Sequence, residues 1–172
     1  MDWPVIIGIS SSIIALCALV FTIWQGFQVR KHNKLSYRPH LTTWTTRNAD
    51  NGFYSVELMN NGLGPALIEN FVLKVDGEII PGVGTEPVEK ALKILLPNHN
   101  YNSEQSFVSK GYSMPAKDKC TIVAVQFTNP PFPTREFVEH TLNRGDIEIS
   151  YKSFYNEFFK LSTEDEKPKN RC

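Results

Sequence analysis

The sequence is poor in the residue patterns that announce chemistry. Its 172 residues carry three cysteines, Cys17, Cys120 and Cys172. They are scattered, with no C-x-x-C pair, so they make neither a disulfide framework nor a metal knuckle; they fit a reducing compartment. The four histidines, His32, His40, His99 and His140, are equally dispersed, and none stands at metal-ligand spacing from a cysteine or carboxylate. No G-x-S-x-G, Walker or G-x-G-x-x-G element is present. No nucleophile, base and orienting group can be assembled, so no catalytic residue, metal ligand or cofactor is expected. Formal net charge is zero. Once the basic residues near position 30 are set aside, acidic side chains outnumber basic ones, which speaks against a nucleic-acid surface.

Charge is also missing from Val5 to Trp24, an uninterrupted apolar run (VIIGISSSIIALCALVFTIW). Twenty helical residues rise about 30 Å, the thickness of a bilayer's hydrocarbon core. Trp3 and Trp24 bracket the run, where aromatic rings favour the membrane interfaces. A cleaved signal peptide is the competing expectation. It is disfavoured because no basic residue precedes the run, the run exceeds the usual 7 to 15 residues, and no A-x-A site follows. Residues 1–28 are therefore expected to be a transmembrane anchor and 29–37 a basic juxtamembrane linker. Arg30, Lys31, Lys34 and Arg38 follow the run, whereas Asp2 precedes it. Basic residues stay on the cytoplasmic side, which predicts an outside N-terminus and a cytoplasmic C-terminal domain, with this cluster against anionic headgroups. Gly8, Ser12 and Ala15 share one helical face, a spacing that lets two such helices pack closely.

Residues 38–163 form the expected domain. His40 to Arg47 is β-branched and aromatic, a strand. Tyr54, Val56 and Leu58 alternate with Ser55 and Glu57 in a second strand over 53–59. Ala66 to Val75 is a third, with Leu67, Phe71, Leu73 and Val75 on one side, followed by the hairpin dipeptide Asp76-Gly77 and a short return to Pro81. Glu86 to Leu96 has helical apolar spacing at Val88, Ala91, Leu92 and Leu95. Asn98 to Gln105 reads as polar loop, Ser113 to Asp118 as a turn, and Cys120 to Phe127 as an apolar strand. Asn129 to Pro133 is a proline-stiffened loop. Thr134 to Asn143 is a short helix with Gly145 as its stop. Ile147, Ile149 and Tyr151 alternate with polar residues, and Phe158 to Ser162 answers them across the turn 153–156. Residues 164–172 are charged and expected to be disordered. About seven short strands point to an antiparallel β-sandwich with one or two helices in its connections.

The stretch LMNNGLGPALIENFVLKVDG (58–77), the entry Arg38-Pro-His-Leu41 and the hairpin Ile149 to Asn156 resemble small uncharacterised bacterial single-pass membrane proteins with a C-terminal immunoglobulin-like domain. The resemblance implies a mainly β, immunoglobulin-like sandwich behind a transmembrane helix and a place in the bacterial inner membrane. It carries no activity. The glycines of Asn61-Gly-Leu-Gly-Pro65 join two strands and open no helix, so backbone geometry explains them better than phosphate binding.

Aromatic residues crowd the C-terminal third. Adjacent pairs such as Phe154-Tyr155 and Phe158-Phe159 put one ring on each face of a strand. Phe132, Phe154, Tyr155, Phe158 and Phe159 are thus either core or a partner surface. Two function classes follow besides an unrecognised enzyme. One is a membrane-anchored, non-enzymatic interaction or sensing module, binding a protein partner or a second copy of itself. The other is a ligand-triggered oligomeric effector, as in bacterial defence, whose helices cluster and perturb the bilayer. The bilayer is a partner in both, and a small-molecule ligand is left open.

Overall fold

The structure, a computed structural model, describes residues 2–166. The chain divides into two compact units between Ser36 and Tyr37. The first is one helix, α1 (Trp3–Ser36), with no buried residue. It is long and apolar enough to cross a membrane. It does not end near residue 28: the segment expected as a linker stays helical to Ser36. Gln, Arg and Lys are good helix formers and nothing in VRKHNKLS breaks the ladder. Ser11, Ser12 and Thr22 turn their hydroxyls back onto the carbonyls of Ile7, Gly8 and Ala18 (2.8, 2.9 and 2.8 Å), so three of the polar side chains in the apolar run bond within the helix itself.

The second unit has nine strands in two antiparallel sheets. β1 (Leu41–Asn48), β2 (Phe53–Asn60), β7 (Lys119–Phe127) and β5 (Tyr101–Gln105) form one in the order β1-β2-β7-β5. The other runs β4-β3-β8-β9, from β4 (Glu78–Ile79), β3 (Ala66–Val75), β8 (Gly145–Lys152) and β9 (Phe158–Ser162), with the short β6 (Ser113–Met114) also on β3. This is the ABED and CFG strand order of an immunoglobulin-type sandwich, the second sheet extended by a strand beside C. Helices α2 (Glu86–Leu95) and α3 (Arg135–Asn143) occupy two connections.

The inner faces meet in one core that includes Leu58, Ile68, Met114, Ile122 and Ile149, all essentially inaccessible. Burying each such side chain contributes roughly 1.5–3 kcal/mol. Ile147, Ile149 and Tyr151 point inward as their alternation requires. In β3 the alternation slips: Ala66 and Ile68 are buried at one end, Leu73 and Val75 at the other, and Leu67 is not. A bulge between Ile68 and Asn70 adds one residue, which exchanges the two faces beyond it.

Local chemistry accounts for most boundaries. Asp76 and Gly77 both have positive φ (54° and 84°), the mirror-image turn that a two-residue hairpin favours. Pro87 sits in the first turn of α2. Thr134 caps α3, its hydroxyl accepting from the Phe137 N–H at 3.3 Å. Gly145 is not the stop of that helix. Arg144 is its C-cap, and Gly145 opens β8 without a left-handed φ. The segment 101–105, expected as loop, is the edge strand β5, paired with β7 from Tyr101↔Phe127 to Gln105↔Val123. Of the tail expected to be disordered, residues to Glu166 form the short helix α4 (Thr163–Glu166). Residues 167–172 lie outside the described residues.

Candidate functional site

The end of the sandwich that carries Tyr37 is built around one buried side chain. Asn60 is 1% exposed and uses both ends of its amide. Its Oδ1 accepts from the backbone N–H of His40 (3.1 Å) and Gly62 (3.0 Å). Its Nδ2 donates to the carbonyls of Gly64 (2.9 Å), Pro115 (2.9 Å) and Met114 (3.4 Å). The glycines beside it serve close approach. A Cβ on Gly62 would strike the Arg38 carbonyl and the His40 nitrogen, and one on Gly64 would fall on the Tyr37 carbonyl oxygen. The Asn-Asn-Gly-Leu-Gly-Pro turn is therefore a clamp on residues 37–41, and Leu63 is left 62% exposed between its glycines.

The β8–β9 hairpin tip stands at the same end. Ser153 is fully buried, and its Oγ accepts from the N–H groups of Tyr155 and Glu157, both at 3.2 Å. The Ser153 N–H donates to the Glu157 carbonyl (2.8 Å), that of Asn156 donates to the Ser153 carbonyl (2.9 Å), and Asn156 takes φ 59°. Arg38 reaches the tip through a two-pronged pair with Glu157, Nη2 to Oε1 at 3.0 Å and Nε to Oε2 at 3.3 Å. The hydrogen bond and the charge of Glu157 hold the guanidinium pKa above its ordinary value. Arg38 also lies 6.0 Å from the Phe159 ring centroid. Grouped by sequence with Arg30, Lys31 and Lys34, Arg38 is committed by the structure to the domain. Beneath it the buried Tyr151 hydroxyl accepts from the Leu41 N–H at 3.3 Å, and burial pushes its pKa up.

The five aromatics proposed as a surface are sorted by this geometry. Phe154 and Phe158 are 73% and 74% exposed, and Tyr155 is 40% exposed. Phe154 and Tyr155 meet edge to face at 6.5 Å. Phe159 belongs to the packing, stacked on Tyr151 at 5.5 Å. Phe132 is elsewhere: its ring covers Gly52 in the β1–β2 turn, at the opposite end of β2 from Asn60. Leu63 and Glu157 were missed in the sequence, although an apolar residue between two turn glycines is itself a signal of exposure. On α1, Trp3 and Trp24 are exposed, Trp24 lies 5.9 Å from Phe21, and nothing lies within 4 Å of the Cβ position at Gly8. Arg30 and Lys31 are exposed on the same helix.

Among the described residues no group of three or more His, Cys, Asp or Glu side chains could hold a metal ion. The chemistry available at the tip is contact: two large apolar rings on a turn that ordering by a partner would cost little, because it is already ordered. No family model and no curated protein matches the sequence.

Proposed function

We propose that this chain is a membrane-tethered, non-enzymatic binding module that holds an immunoglobulin-like domain on the cytoplasmic face of a bacterial inner membrane and meets a protein partner through the Phe154–Phe158 tip. The observation that carries the reading is the pairing of two phenylalanines, each about three-quarters exposed, with a turn braced by Ser153 and Arg38. Exposed aromatics on a rigid support are the side chains that dominate protein interfaces. The apolar span of α1 supports the tether, its basic C-terminal end supports the orientation, and the likeness to small bacterial single-pass proteins supports the compartment.

The test is in-cell photocrosslinking of the full chain with a benzophenone amino acid at position 158, and at the exposed Ile79 as a control. The reading expects a discrete protein adduct from 158 that is lost with Phe154→Ser and absent from 79. Lipid adducts alone, or equal adducts from both positions, would refute it. An adduct of twice the chain mass would make a second copy the partner. Growth arrest on overexpression that disappears when residues 1–28 are deleted would replace the module with an effector acting through the Gly8, Ser12 and Ala15 face. A reporter fused after Cys172 tests the orientation.

A further inference from the structure

Between the two sheets, away from the aromatic tip, the sandwich is not filled. A cavity of about 300 Å³ opens there. Its walls are apolar: Leu73 and Ile147 from one sheet, Val123 from the other, Ala91 and Leu92 from α2, and Leu142 from α3. Protein interiors rarely keep voids larger than a water molecule. A dry cavity half this size, lined by similar side chains, takes up small apolar molecules.

The polar groups of the lining come mainly from one strand. Thr43, Thr45 and Arg47 are the inward positions of β1 that follow the buried Leu41, where a sandwich normally carries apolar residues. β9 pairs with only the Glu148–Lys152 part of β8, so among the described residues no strand lies beyond the Gly145–Ile147 part, and Thr163 stands there instead, its hydroxyl accepting from the Ile147 N–H at 2.8 Å. The rim is charged. Arg47 is the one charged residue of the lining; its Nη1 donates to Glu139 Oε1 at 3.1 Å, and that carboxylate oxygen also accepts from Arg135 Nε at 2.9 Å, so Glu139 is shared between two guanidiniums.

We propose that this cavity is a binding site for an amphipathic anion, a single apolar chain ending in a carboxylate, with the chain between the sheets and the head on Arg47. The apolar wall selects the chain, the threonines give polar contact near the mouth, and the Arg47 guanidinium selects an acid over an alcohol. A membrane tether suits such a ligand, because molecules of this class partition into bilayers. The site is separate from the aromatic tip, and its failure would leave the reading of the tip untouched.

The experiment uses the full chain in nanodiscs and two photoreactive probes of medium chain length, a diazirine fatty acid and the corresponding fatty alcohol, with adducts mapped by mass spectrometry. The proposal expects acid adducts on peptides from α2, α3 or β1. Thr45→Phe, which fills the mouth from a strand position suited to an aromatic, should lower them at least about tenfold. Arg47→Gln, which leaves the volume nearly unchanged, should lower acid labelling about tenfold, the loss of one charge-assisted hydrogen bond, and leave alcohol labelling alone. Adducts confined to α1, adducts unchanged by either substitution, or an alcohol that labels the domain as well as the acid would each overturn it.

Discussion

Arg38 and Glu157, 119 positions apart, close the sandwich at the end that carries Tyr37, the guanidinium meeting the carboxylate through two hydrogen bonds. Bidentate geometry fixes orientation as well as distance, so the pair ties the first residues of the domain to its last hairpin. Arg38→Gln should release the tip and leave the core intact. Hydrogen exchange of the full chain should then speed up several-fold at residues 155–157 and stay unchanged in β2 and β7, because surface ion pairs contribute to local order more than to global stability. Equal protection of the tip in the variant would contradict the role given to this pair.

Asn60 should be the costliest polar side chain to remove. Asn60→Ala removes the partner of the His40 and Gly62 N–H groups and of the Gly64 and Pro115 carbonyls, the Gly62 and Gly64 bonds being buried and the other two part-buried. The expected loss is about 3 kcal/mol, seen as a fall of about 10 °C in Tm. Asn61→Ala is the control. That side chain meets only Thr42 Oγ1, at 2.7 Å on the surface, and its removal should stay within about 0.5 kcal/mol.

Stability should fall on the acid side. Glu148 is held below its ordinary value of 4.5 by hydrogen bonds from Lys160 and Lys74, at 3.0 and 3.2 Å. Glu69 beside Lys152, Asp76 beside Arg144 and Glu139 beside Arg135 are lowered in the same way. A carboxyl with a depressed folded pKa takes up its proton more readily in the unfolded chain. Its stabilisation is therefore complete above the ordinary value and lost as pH falls through the folded one. The urea midpoint should be flat above about pH 6 and should drop below pH 4.5. Glu148→Gln should flatten that acid limb by lowering the neutral plateau by the amount the limb loses, with stability at low pH nearly unchanged. An acid limb unchanged in the variant would remove Glu148 from the account.

The features legible in the sequence were those carried by side-chain pattern. Ile147, Ile149 and Tyr151 announce an inward face, Asp76-Gly77 announces its turn, and Thr134 announces the start of α3 through its cap. The features that escaped depend on what the main chain does or on what lies far away. β5 has no apolar alternation in Tyr-Asn-Ser-Glu-Gln, because an edge strand is held by its backbone pairing with β7. The bulge in β3 moves Leu67 off the inner face without any glycine to mark it. Arg38 reads as one more basic residue after the anchor until the fold delivers Glu157 to it. The cavity behind Thr43 and Thr45 requires both sheets to be in place; the strand itself shows only β-branched residues. Of the aromatic surface, adjacency in the chain puts the rings of Phe154-Tyr155 and of Phe158-Phe159 on different faces without saying which ring is exposed, and it could not place Phe132 at the far end of the sandwich.

The tip allows its shape to be separated from its contact surface. Ser153→Ala keeps both phenylalanines and removes the acceptor of the Tyr155 and Glu157 N–H groups, in a position with no exposure to water. It should destabilise the domain by about 1–3 kcal/mol and let the hairpin wander. Phe154→Ser with Phe158→Ser does the reverse: the rings touch little, so thermal stability should change by less than about 0.5 kcal/mol while the tip keeps its turn. If the tip is a preorganised contact, both changes should weaken the adduct formed from a benzophenone amino acid placed instead at the exposed position 155, the first by raising the entropy that binding must remove and the second by deleting the apolar contact itself. A double phenylalanine variant of wild-type stability that no longer crosslinks would assign the interaction to the rings. An adduct that survives the loss of both rings would place the partner surface elsewhere on the sandwich.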